Sequence, residues 1–88
     1  MINITNTILF DENLLLSKQS AEFQQWYNEN VNILINDKLK PDLLDEYSRP
    51  MSYTVVVNTF QITIYPLYIY QDSSNWACRD FQLTIKPV

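Results

Sequence analysis

The chain has 88 residues and not one glycine, and this omission limits its fold more than any other feature of the sequence. Average usage would give about six. Glycine enters positive φ at no steric cost, so turns and helix ends that need such backbone must here be made by asparagine or aspartate. Nine asparagines are present for that purpose. Sites built on glycine are excluded as well: a phosphate-cradling loop, a dinucleotide fingerprint and an EF-hand calcium loop all require it. Histidine is also absent and cysteine occurs once. A Ser–His or Cys–His nucleophile therefore cannot be assembled, nor can a zinc site of Cys and His. Carboxylates alone would have to carry any catalysis, and a chain this short hardly builds the cleft that paired carboxylates need. The expectation is a protein that is not an enzyme and holds no cofactor or metal.

Length and composition predict one small domain with a true core, since 47% of residues are hydrophobic and 14% aromatic. Disordered chains are poor in both. Net stability of such a domain is modest, and dimerisation would add to it. The opening residues, Met1 to Phe10, lack a basic start and an unbroken apolar stretch, which argues against a signal peptide. No run approaches the roughly 20 apolar residues that span a bilayer. The expected location is cytoplasmic, with no membrane contact. Cys78 cannot form an internal disulfide, and its strand-like setting, Trp76-Ala77-Cys78, predicts a buried, inert thiol.

Hydrophobic periodicity orders the elements. Ile2, Ile4, Ile8 and Phe10 alternate with Asn3, Thr5 and Thr7, predicting a half-buried strand that Asn6 interrupts. Leu14-Leu15-Leu16 reads as a short apolar anchor after a turn at Asp11-Glu12-Asn13. From Ser17 or Ser20 to Asp37 a helix is predicted, capped by either serine, with Glu22 near its positive end. Phe23, Tyr27, Val31, Leu34 and Ile35, with Trp26 beside them, form its apolar stripe. Pro41 suits the first turn of a new helix, so 41–47 predicts a short second one. Tyr53–Val57 and Phe60–Tyr65 are strand-like, and Asn58-Thr59 is either a tight turn between them or part of one long strand. Pro66 marks an edge, bulge or bend. Leu67–Gln71 resumes the strand, Asp72-Ser73-Ser74-Asn75 is a turn, and the last strand runs from Trp76 to Lys86 with Phe81, Leu83 and Ile85 facing inward. The predicted fold class is α+β: an antiparallel sheet of three to five strands, one main helix on one face, and a short second helix.

Two groups of residues are candidates for partner binding. Asp37, Asp42, Asp45 and Glu46 lie within ten residues and give an acidic surface suited to a basic partner. Tyr65, Tyr68, Tyr70 and Trp76 crowd the β half, and tyrosine and tryptophan are favoured at interface hot spots. By alternation Tyr68 and Tyr70 share one face of their strand while Leu67 and Ile69 take the other, and one helix covers only one face. Net charge of −4 and the lack of a basic stripe oppose direct nucleic-acid binding. The expected partner is another protein, basic or nucleic-acid-binding.

In type, the chain resembles the small inhibitors encoded by phages and other mobile elements, of which anti-CRISPR proteins are the best known. The shared features are short length, acidity, the absence of a catalytic motif and a compact helix-plus-sheet plan. The resemblance implies a stoichiometric blocker that occupies the surface where an effector would hold DNA or RNA. A structural or self-assembling subunit of a phage or mobile element is the alternative, as is an immunity or antitoxin protein.

Overall fold

The computed structural model describes residues 1–35, 43–45, 51–72 and 75–88. The chain opens with a small hairpin of β1 (Ile2–Asn3) and β2 (Leu9–Phe10), paired antiparallel as Ile2 with Phe10 and Asn3 with Leu9. The expected break at Asn6 is in fact a chain reversal, held by the Ile4 and Thr5 amides donating to the Ile8 carbonyl. The opening segment thus forms its own two-stranded sheet and does not join the main one. Two residues per strand leave too short a ladder to seed a larger sheet.

A single 3₁₀ turn at Leu16–Lys18 follows, and Leu14 is exposed rather than an anchor. Ser17 belongs to this turn, so Ser20 is the helix cap, its Oγ accepting from the Phe23 amide at 3.2 Å. The helical rod has three parts: α1 (Ala21–Tyr27), a π-helical stretch (Asn28–Asn32) and α2 (Ile33–Ile35). The sequence explains the irregularity. Phe23, Tyr27, Val31 and Ile35 are all buried, and their spacing of four drifts about 40° per step in a helix of 3.6 residues per turn. A wider π turn takes up that drift and keeps all four on the core side. Leu34, assigned to the stripe by spacing, is instead thrown to solvent with Ile33. Asp37 lies outside the described residues.

The main sheet has four antiparallel strands in the order β3 (Leu43–Asp45), β6 (Asn75–Pro87), β5 (Phe60–Asp72) and β4 (Tyr53–Val57). The segment expected to be a second helix is, over its described residues, the strand β3, paired as Leu43 with Ala77 and Asp45 with Asn75. An open strand edge on β6 offers backbone partners to this segment, and that tertiary pairing overrides a weak local helix signal. Asn58-Thr59 is the two-residue turn between β4 and β5. Asn58 has φ of 54°, the left-handed conformation that asparagine tolerates in the absence of glycine. Pro66 interrupts neither strand. It pairs with Phe81 at a level where β5 no longer has β4 beside it, so the missing amide costs no ladder bond.

The sheet is staggered. β4 covers only Phe60–Ile64 of β5, and β3 covers only Asn75–Ala77 of β6, at opposite ends of the long β5–β6 hairpin. Thirteen residues per strand at about 3.3 Å each account for most of the 46 Å longest dimension. The core lies between the helical rod and one sheet face, where Phe23, Tyr27, Val31 and Ile35 meet Ile62, Ile64, Leu83 and Ile85, with Phe10 and Ile4 from the hairpin at one end. Within it the Tyr27 hydroxyl has no hydrogen-bond partner among the described residues, and burial, with Cys78 nearby, pushes its ionisation far up. Cys78 itself is buried and free, and burial raises its thiol pKa, so the sulfur stays protonated and unreactive.

The 3₁₀ turn is tied to β6 by Ser17, whose Oγ and backbone amide both donate to the Asp80 carboxylate. Partial burial alone would raise the Asp80 pKa. Hydrogen bonds from Ser17 and from the Phe81 amide, with Lys18 nearby, outweigh it and hold the carboxyl below its ordinary value. A depressed carboxylate stabilises the fold above its unfolded value, about 3.9, and that contribution is lost as pH falls through the folded value. Asp80→Asn is therefore expected to lower the urea midpoint at pH 7, with the gap to wild type closing toward about pH 3. A gap that stayed constant with pH would show that the carboxylate charge is not what ties the turn.

Candidate protein-binding surface

Strand alternation decides which side chains of the sheet remain uncovered. Ile62 and Ile64 of β5 and Leu83 and Ile85 of β6 point into the core, so their neighbours stand on the opposite face. At the β4 end this open face is mostly polar, exposed Val56 apart: Gln61 lies between Val56 and Lys86, and Thr54, Thr63 and Thr84 form one cross-strand row, with Thr54 and Thr63 hydroxyls 3.3 Å apart. Beyond Ile64 it becomes apolar. Tyr65, Leu67 and Ile69 follow at every second position of β5 and are 42%, 40% and 51% exposed. Single exposed apolar residues need no explanation, but three in a row on one strand make a patch.

The backbone beside this row is open as well. β4 ends its pairing at Ile64, so from Tyr65 onward the outer edge of β5 has no strand on it among the described residues. The register with β6 shifts between Leu67 and Tyr68, because Leu67 pairs with Asp80 and Tyr68 with Cys78, leaving Arg79 as an extra residue. Such bulges increase local twist and often mark sheet edges that a partner meets.

Among the described residues, Tyr65 alone of the candidates is seen on the exposed row. Tyr68 is half-buried and sits opposite buried Cys78, on the side away from Leu67 and Ile69. Tyr70 pairs directly with Trp76, which in turn pairs with Leu44, and Asp45 pairs with Asn75 one position on. The topology thus brings Asp45, Tyr70 and Trp76 to neighbouring positions at the β3 end of the sheet, although they are far apart in sequence. Asp37, Asp42 and Glu46 lie outside the described residues. Leu67 and Ile69, which complete the row, were not singled out from sequence, because alternation shows that two faces exist but not which one the helix takes.

Charges of both signs stand on both layers: Glu12, Lys18, Glu22 and Glu29 are exposed between the hairpin and the helix, and Arg79, Asp80 and Lys86 stand on β6. Among the described residues the one ion pair joins the N-terminal amine to Glu12 at 3.7 Å, and no three acidic or cysteine side chains gather to hold a metal. No described helix is long and apolar enough to cross a membrane. Compared with protein-family models, curated proteins and solved structures, the chain matches none.

Proposed function

We propose that this chain is a non-catalytic binding protein that inhibits a basic, nucleic-acid-handling effector by stoichiometric occupation of its surface. The observation that carries the reading is the exposed row of Tyr65, Leu67 and Ile69 along a strand whose outer edge is open. A tyrosine flanked by aliphatic side chains provides the desolvated anchors that dominate binding energy. An open edge adds main-chain hydrogen bonds if the partner docks an extended segment. Net charge of −4 favours a basic partner, chiefly by speeding and orienting encounter. The inhibitor then works in the cytoplasm of whichever cell contains that effector.

The test is capture by the tagged protein from such a cell, alongside a Leu67→Ser/Ile69→Ser variant, in moderate salt with light-scattering detection. The reading expects one basic nucleic-acid-binding protein at fixed stoichiometry, loss of its DNA or RNA binding in the complex, and failure of the variant to recover it. Recovery of the chain alone in a large closed assembly would replace this reading with a self-assembling subunit, which the open β5 edge also suits.

A further inference from the structure

The main sheet ends on β4, and the outer edge of this strand has no neighbour among the described residues. Which of its backbone groups face outward follows from the turn. A two-residue turn at Asn58-Thr59 makes Val57 and Phe60 a bonded pair, and bonding alternates from there along an antiparallel ladder. Val57, Val55 and Tyr53 therefore direct their amides and carbonyls to β5. Thr54 and Val56 direct theirs outward, where neither residue finds a backbone partner among the described residues. The side chains at these two positions are exposed too, Val56 by 59%, the apolar exception at this end of the open face.

Sheet edges are ordinarily guarded by charge, proline or a bulge, because an unguarded edge pairs with other chains. β4 has none of these. Its register with β5 is regular over all five residues. No charged side chain occurs from Met51 to Gln71, in a chain whose residues are 18% charged. We infer that β4 pairs antiparallel with β4 of a second copy about a two-fold axis at Val55, joining the two main sheets into one. Thr54 and Val56 stand symmetrically about Val55, so each Thr54 exchanges both its backbone bonds with Val56 of the other copy. The remaining neighbours also suit a sheet, since Val55 meets Val55 and Tyr53 meets Val57. Charge selects a second copy as the occupant. Two chains of net charge −4 repel, so they meet best where neither carries charge, whereas a basic partner gains nothing from a neutral edge. A two-fold contact uses both β4 edges and closes at two copies. The contact is small, which places its Kd between roughly 1 µM and 1 mM. It does not involve Tyr65, Leu67 or Ile69, so it stands or falls separately from the function proposed above.

The experiment is sedimentation equilibrium of the full chain from about 5 µM to about 1 mM, with hydrogen exchange measured at both ends of the range. A reversible monomer–dimer equilibrium is expected. The Thr54 and Val56 amides should gain more protection with concentration than those of Tyr53, Val55 and Val57, which already bond β5. Val56→Lys, at an exposed side chain, should weaken the dimer about tenfold or more, since each copy then brings a lysine to the shared edge. It also takes the net charge from −4 to −3, so a general charge effect would have the opposite sign. Val56→Thr keeps a β-branched residue and should stay within about threefold of wild type, as should Leu67→Ser/Ile69→Ser. The exchange readout needs no variant. A monomer at the highest concentration, an assembly that grows past two copies, unchanged exchange at Thr54 and Val56, or a dimer that Val56→Lys leaves intact overturns the inference.

Discussion

Replacing Phe23 with alanine is expected to destabilise the protein by about 3–5 kcal/mol, the cost of deleting a fully buried aromatic ring and leaving a cavity. Phe23 has no solvent exposure, and its ring lies 5.0 Å from that of Phe10 on β2 and 5.7 Å from that of Trp26. It is therefore the link between the small hairpin and the helix. Two-residue strands cannot hold the hairpin by themselves, because an isolated hairpin is marginal in water even when longer. At about 0.05–0.15 kcal/mol per residue, a domain of this size has only roughly 4–13 kcal/mol in total. The substitution thus removes a large share of it. In urea the midpoint should fall steeply with little change in slope, and Phe23→Leu should recover part of the loss. A cost below about 1 kcal/mol, the ordinary level for any point substitution, would mean the hairpin is held some other way.

Gln19→Ala is expected to cost about 2–4 kcal/mol, although the residue is polar and stands in a loop. Gln19 is 6% exposed. Its Nε2 donates to the carbonyls of Asp11 at 2.7 Å and Leu14 at 2.9 Å, and its Oε1 accepts from the Asp11 amide at 3.1 Å. One side chain so bonds three backbone groups, of which the Asp11 carbonyl also accepts from the Leu14 amide at 3.1 Å, and closes the segment between β2 and α1. Each hydrogen bond contributes about 1 kcal/mol net, and each buried group left unpaired costs about 1–3 kcal/mol. Gln19→Glu separates this account from simple loss of packing. It preserves size but sets a carboxylate against two carbonyls, so it should destabilise at least as much as alanine. The Asp11 amide should also lose protection from hydrogen exchange in both variants. If Gln19→Glu were tolerated, the network would not be what closes the loop.

Much of the fold could be read from spacing. The alternation of Phe81, Leu83 and Ile85 placed the last strand, and the turn expected between 72 and 75 agrees with the Asp72–Asn75 pair that closes the long hairpin. Buried Phe23, Tyr27 and Val31 named the helix, and Pro66 found its edge position. These features follow from residues close in sequence, where backbone period and residue type act together. Leu34 shows the limit of that reasoning. A spacing rule assumes a regular helix, and the π turn that keeps Ile35 in the core turns Leu34 out.

The candidate surfaces were less legible. Sequence supplied aromatic and acidic residues, but Tyr65 joins Leu67 and Ile69 rather than Tyr68. Gln19 has no local signature either, since a glutamine in a polar stretch gives no sign of burial.

By itself, then, the amino-acid sequence determined an acidic α+β chain without glycine-built or histidine-built chemistry, in which asparagine must make the left-handed turn, as Asn58 does. Periodicity further determined which residues share a strand or helix face. Tertiary structure alone decided that the N-terminal segment stands apart as a hairpin, that Leu43–Asp45 is a strand, which face of β5 stays open, and where the helix meets the hairpin turn. The reason is that alternation and helical spacing are properties of neighbouring residues. Which edge finds a partner, and which face is covered, depends on competition among segments distant in the chain, and no local pattern records its outcome.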